Sequence, residues 1–289
     1  MAGRATATYL ELSAEGSAAK AEMSVELAIA WTTRLVCVGA AISTLELLWL
    51  RRELGGSGLY AWRVLRSRPA VMGSRTVRAL LDRVLDEPIF PLLLGIRLVG
   101  LGVAAIWPNS PSVAAPALGV VLAITLLCNL RSAFGQDGSD QMSTQILLAL
   151  FVAACAPRQL AALCLAYICA QALLSYSVAG VAKLFGPLWR GGDAVRLIFN
   201  TSTYGVASVA RVLDRAPRLS RALTWSVVGA EVLFPLVLVA GLPWLVLGLV
   251  WGVTFHALNA LIMGLNSFFW SFVASYPAIV FCALWIAAT

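Results

Sequence analysis

The chain has 289 residues, of which 60% are apolar and only 12% charged, with a net charge of +7 and a mean hydropathy of +0.86. A soluble domain carries roughly twice that charged fraction, and its surface could not hold so much apolar area against water, so a water-soluble globular protein is excluded. The positive excess is almost wholly Arg, since Lys20 and Lys183 are the only lysines. In a membrane chain such charge belongs to cytoplasmic loops and calls for no nucleic acid.

Taken in order, residues 1–27 mix small and acidic side chains, lack the apolar core of a signal peptide near the start, and read as a flexible tail. The first apolar run, 28–50, is long enough to cross a bilayer, for which about 20 residues suffice; Arg51 and Arg52 close it. Residues 59–87 set Arg63, Arg66, Arg68, Arg75, Arg78 and Arg83 among Leu, Val and Trp, the pattern of an amphipathic helix on an anionic leaflet. Spans follow at 89–107 and 113–130, with Pro108 and Pro111 in the turn between them. A polar loop, 131–141, leads into 142–185, which is too long for one span and is broken by Pro157-Arg158 into a helical hairpin. The partly polar 186–221 precedes spans near 222–240, 244–265 and 267–288.

The fold class is therefore an all-α integral membrane protein. One transmembrane domain, 28–289, forms a polytopic bundle of about eight spans with interfacial helices. The six cysteines all fall in apolar stretches without CxxC or zinc spacing and read as packing residues. Arg is dense between the first two spans and again over 190–221, which assigns both segments to the cytoplasm, both termini to the outside, and the chain to the cell membrane as a multi-pass protein.

Ionisable groups inside spans are costly and mark candidate sites. Here they are Arg34, Glu46, Arg97, Lys183, Glu231 and the only histidine, His256. Arg34 and Arg97 are available to pair with Glu46 and Glu231 as structural ion pairs. Tyr176, Ala179, Gly180 and Lys183 recur at helical spacing on one face, where small residues admit a second helix or a ligand. A lysine stripped of water there is a candidate general base. His256, Asn259, Met263 and Asn266 share another face, suited to orienting or protonating a ligand. Both faces read equally well as interhelical hydrogen bonding. The loop Gly135-Gln-Asp-Gly-Ser-Asp140 reads first as a turn with Asp140 as N-cap of a helix starting near Gln141. Its sharper reading is a carboxylate pair, Asp137 and Asp140, able to hold Mg²⁺ or donate a proton.

Two of these stretches carry a resemblance. Tyr176-x-x-Ala-Gly-Val-x-Lys183-Leu with Trp189-x-x-Gly192, and Phe255-His256-x-x-Asn259 with Met263-Gly264, Ser267-Phe268 and Ser275-Tyr276-Pro277, resemble vitamin K-dependent γ-glutamyl carboxylases and their short bacterial relatives, the HTTM proteins. The similarity covers about 130–281, and Glu231 with Pro235 fits a recurring family feature. The resemblance implies Lys183 as the base that deprotonates a reduced quinone and His256 as the family's histidine. The family's large soluble domain is absent, and Asp140 stands where the carboxylases have a histidine, which argues against carboxylation of protein Glu.

The expected function is that of a membrane enzyme acting on a lipophilic isoprenoid or quinone-like molecule. Lys183, His256 and Asp140 are its catalytic candidates, and Tyr176, Asp137, Trp189, Arg190, Arg196, Glu231 and Asn259 are its substrate-binding candidates. In a terpene-cyclase version, Asp140 or Asp137 protonates an olefin or binds Mg²⁺-diphosphate, with Arg190 and Arg196 on the diphosphate. In the quinone version Lys183 is the base and a reduced quinone the cofactor. A third reading, from another class, is a maturation or export factor for a secreted peptide toxin. The partners expected are the bilayer and a lipophilic small molecule.

Overall fold

The computed structural model describes residues 2–54, 58, 61–66, 75–132 and 137–288, with side chains from residue 25 onward, that of residue 158 excepted. The described chain is helical nearly throughout. In order come α1 (Ala2–Trp49), α2 (Arg51–Leu54), α3 (Trp62–Leu65), α4 (Arg75–Val84), α5 (Ile89–Ile106), α6 (Pro111–Arg131) and α7 (Gly138–Cys155). They are followed by α8 (Arg158–Phe185), α9 (Pro187–Gly191), α10 (Ala194–Phe199), α11 (Ala207–Arg215) and α12 (Pro217–Leu233). After a 3-10 turn (Phe234–Leu238) come α13 (Leu242–Met263) and α14 (Asn266–Ala288).

Seven stretches among the described residues are long and apolar enough to cross a membrane: Val25–Trp49, Ile89–Ile106, Pro111–Arg131, Gln159–Phe185, Pro217–Leu238, Leu242–Met263 and Asn266–Ala288. The protein is thus a multi-pass membrane bundle. The hairpin broken at Pro157 is present as α7 and α8. The weaker of the expected spans, α7, has 18 residues with polar first turns, and it packs between α6, α8, α14 and α1 as an inner helix.

Helix α1 takes in the N-terminal segment from Ala2 on and runs on into the first span, in keeping with the strong helix formers Ala, Glu, Leu, Lys and Met there. One expectation about a helix end is corrected. Helix α7 begins at Gly138 with Asp137, not Asp140, as its N-cap.

The bundle is organised around α14, whose neighbours are α1, α7, α8 and α13. Its Ala274, Ala278 and Ile279 are fully buried, and Gly39 lets α1 approach against the side chain of Trp270. Small residues at such crossings let helices gain packing contacts in lipid, where no hydrophobic drive separates them from solvent. At the other extreme α13 presents Leu242, Trp244, Leu247, Val250 and Leu261 outward, the face that meets acyl chains.

Sequential helices pack as antiparallel neighbours, so the basic loops gather at one end of the bundle. There α2 and α3 form a small second core with Leu54, Trp62, Leu65, Leu85 and Phe90. Arg131 fixes it, donating to the carbonyls of Leu85 (2.8 Å) and Leu54 (2.7 Å) while its guanidinium stands 4.3 Å from the Phe90 ring centre. Helix α4, with Arg75, Arg78 and Arg83, buries none of its residues and has the form of an interfacial helix; of the basic helix expected over 59–87, α3 packs instead into the second core, and residues 59–60 and 67–74 lie outside the described residues. Arg211 and Arg215 on α11 add charge at the same end. Reporter fusions at Arg75 and at Arg215 should therefore both report cytoplasm; an extracellular signal from either would break this arrangement.

Candidate functional site

The site begins with a glycine. Gly180 lies midway along the α8 face that carries Tyr176 and Lys183, and a β-carbon there would come within 2.7 Å of the Val232 backbone nitrogen on α12. That approach sets Glu231 beside Lys183. Lys183 Nζ donates to both carboxylate oxygens, at 2.6 Å to Oε2 and 2.9 Å to Oε1. Glu231 is 4% exposed, so the carboxylate has left water and depends on this partner. Glu231 therefore pairs with Lys183 and with neither arginine, because Gly180 brings α12 to α8. Arg97 donates to Thr44 (2.8 Å), and Arg34 Nε to the carbonyl of Ala105 (3.3 Å).

The Trp189 ring, from α9, lies 5.2 Å from the Lys183 ammonium, a cation–π distance. Helix α9 is held in place by its end: Gly192 adopts φ +82°, a conformation only glycine takes without strain, and its carbonyl accepts from Ser220 and Thr224 on α12.

Two turns deeper along α8, the Tyr176 hydroxyl is 2.8 Å from His256 Nε2 on α13 and 2.7 Å from the Tyr276 hydroxyl on α14. All three residues are buried. Tyr176 stacks on Phe234 (3.9 Å between ring centres) and His256 on Phe272 (4.4 Å). Gly252, one turn before His256, has no side chain because the Tyr276 and Tyr176 hydroxyls fill that space. His256 Nδ1 has no hydrogen-bond partner among the described residues, which leaves one imidazole nitrogen able to serve a ligand.

Thus three helices, α8, α12 and α13, bring Lys183, Glu231, Tyr176 and His256 into one cluster under Trp189, and Asn259 follows His256 one turn along α13. Tyr276 joins them as a member not singled out for chemistry from sequence. Its signal was a phenol set amid the apolar run of α14. Replacing Tyr176 with Phe removes the only hydrogen bond described for His256 and should cost about 1–3 kcal/mol, read as a lower unfolding midpoint in detergent. Tyr276→Phe should cost less, because the Tyr176 hydroxyl still reaches His256.

The aspartates lie elsewhere. Asp137 and Asp140 form a capping box: Asp137 Oδ1 accepts from the Ser139 amide (2.8 Å), the Ser139 hydroxyl (2.6 Å) and the Asp140 amide (2.9 Å), and Asp140 accepts from the Asp137 amide (3.4 Å). Helix α14 divides them from Lys183. Its Ser271 bonds to the Ser139 carbonyl (3.0 Å) and to Ser143 (2.6 Å), while the next residue, Phe272, stacks on His256. The single mouth expected to hold Asp140, Lys183 and His256 is thus two places on two faces of α14. Arg196 pairs with Asp193 (3.3 Å) and Asp214 (3.4 Å), binding α10 to α11, and Arg190 is exposed on α9. A Mg²⁺ ion fits the Asp pair poorly. One carboxylate oxygen already takes three hydrogen bonds, and among the described residues no three His, Cys, Asp or Glu side chains converge as metal ligands. No protein-family model, curated protein or solved structure matches the chain.

Proposed function

We propose that this chain is an enzyme of the cell membrane that moves a proton to or from a lipophilic, quinone-like or isoprenoid molecule, with Lys183 and Glu231 as its acid–base pair. The observation that carries this reading is the convergence of two charged and three hydrogen-bonding side chains from α8, α12, α13 and α14 inside a bilayer span, where polar groups are costly and mark function. The resemblance to HTTM proteins and vitamin K-dependent carboxylases points the same way, through Lys183 and His256.

In this reading Lys183 passes a proton to Glu231 across their short hydrogen bond and, as the free amine, takes one from a substrate hydroxyl. The pair then carries both protons, and the substrate oxygen carries the negative charge. Tyr176, stacked on Phe234, and His256, stacked on Phe272, orient the ring of the substrate together with Tyr276. The terpene-cyclase version would have to take Asp137 out of its capping box, and Arg196 out of its pairs with Asp193 and Asp214.

The test gives purified protein reduced naphthoquinones and, separately, prenyl diphosphates with Mg²⁺ or EDTA. Turnover of the quinone class is expected, with Lys183→Arg inactive yet monodisperse, because a guanidinium keeps the charge but does not give up its proton. Undiminished activity in Lys183→Arg would remove Lys183 as the base. A Mg²⁺-dependent product from prenyl diphosphates, lost in Asp137→Asn, would replace this reading with the cyclase. If neither class is consumed, the enzyme reading falls and a factor for peptide maturation or export takes its place.

A further inference from the structure

The other face of α14 lines a cavity of about 340 Å³, bounded by α1, α5, α6 and α7 and, at the basic end of the bundle, by Leu54 and Leu65 of α2 and α3. Sites for small ligands begin at about this size. Its walls are divided in character. Val36, Leu47, Leu50, Phe90 and Trp270 are apolar, while Arg97, Glu46, Asp140, Asn129 and Ser143 make the polar part.

Arg97 is the unusual member. It is 5% exposed and sits within the span Ile89–Ile106. It makes one described hydrogen bond, to Thr44, and its Nε has no partner among the described residues. Among the described residues no carboxylate stands within salt-bridge distance of it, although Glu46 and Asp140 line the same space. A guanidinium inside a membrane normally pairs with an acid, since the cost of an unpaired buried cation is large. The second arginine on this cavity, Arg131, is engaged by the carbonyls of Leu54 and Leu85. The cavity therefore offers one under-coordinated cation, two acceptor carboxylates and an apolar wall.

We infer that this cavity is a second ligand site, separate from the Lys183 cluster, for an amphiphile whose phosphate or carboxylate pairs with Arg97. Hydroxyl or ammonium donors beside that anion meet Glu46 and Asp140, and its apolar part lies along Leu47, Leu50 and Phe90. A membrane lipid headgroup and a soluble organic phosphate share this chemistry.

The experiment measures thermal unfolding of the full chain in a nonionic maltoside while titrating lysophosphatidylglycerol, dodecyl phosphate or inorganic phosphate. The wild type should be stabilised saturably, and the half-maximal concentration should rise roughly tenfold or more in Arg97→Met, which removes the charge-assisted hydrogen bonds. Ala40→Leu narrows the cavity from α1 without changing a charge and should weaken binding as well; it decides the matter if Arg97→Met does not fold. Lys183→Arg should bind as the wild type does, so this result is independent of the enzyme reading. Stronger binding of the amphiphiles than of inorganic phosphate identifies a lipid source, and equal Arg97-dependent binding of all three identifies a soluble anion. Absence of a saturable shift, or equal shifts in the wild type, Arg97→Met and Ala40→Leu, overturns the site.

Discussion

Replacing Lys183 with Met is expected to destabilise the folded protein by about 3–5 kcal/mol, the cost of leaving a buried charge without its partner. The charge left behind is Glu231, 4% exposed and, among the described residues, hydrogen-bonded through both oxygens to Lys183 alone. The double variant Lys183→Met/Glu231→Leu should recover most of that loss, because an apolar pair of similar volume is often as stable as a buried ion pair. Reversible unfolding of the four proteins in mixed micelles closes the cycle and isolates the pair's coupling. If the double variant is as unstable as the single one, the salt bridge is not what Lys183 contributes. Restored stability without restored turnover would show that the pair serves chemistry at no benefit to the fold.

Gly180→Val should be the next most damaging change. A β-carbon at this position meets the Val232 backbone nitrogen at 2.7 Å and the Val232 side chain at 2.9 Å, so α12 has to move. Overpacking of this kind costs about 1–3 kcal/mol and shifts backbone. The consequence specific to this protein is that Glu231 moves with α12. The Lys183–Glu231 coupling measured in the Gly180→Val background should therefore shrink, whereas a substitution that merely loosened packing would leave it intact. Gly229, two residues before Glu231 on the same helix, has open space around it, and Gly229→Val provides the control.

The spans were legible because lipid demands long apolar helices and tolerates few charges. α5, α6, α13 and α14 all lie within a few residues of where hydropathy alone puts them. The site was legible in part. Helical spacing united Tyr176, Gly180 and Lys183, and scarcity marked His256 and Glu231. Which charge meets which was not legible, since it depends on how closely two helices approach. Gly180 decides that for Glu231 through a contact with a backbone 52 residues further along the chain. The separation of Asp140 from His256 was hidden for a similar reason: α14 is the final helix, and the residues that divide the two places, Ser271 and Phe272, are neighbours whose faces only packing assigns. The N-terminal part of α1 was not legible as a helix, because good helix formers without apolar periodicity give no burial signal.

The break in α12 bears on what the Lys183 cluster can receive. Pro235 has no amide hydrogen to return to the Glu231 carbonyl four residues before it, and there the α-helix gives way to the 3-10 turn Phe234–Leu238. Lys183 itself sits in the last turn of α8. Two helices thus end at the cluster, and a helix ends with its carbonyls, the negative pole of its peptide dipoles. A phosphate or diphosphate entering here would face two negative poles and a carboxylate already bound to the Lys183 ammonium. An uncharged ring with hydroxyl groups would find those same carbonyls to be acceptors. On the proposed function, the backbone polarity of α8 and α12 would favour a neutral hydrogen-bond donor at the cluster, and on the further inference anionic headgroups would go to the other side of α14.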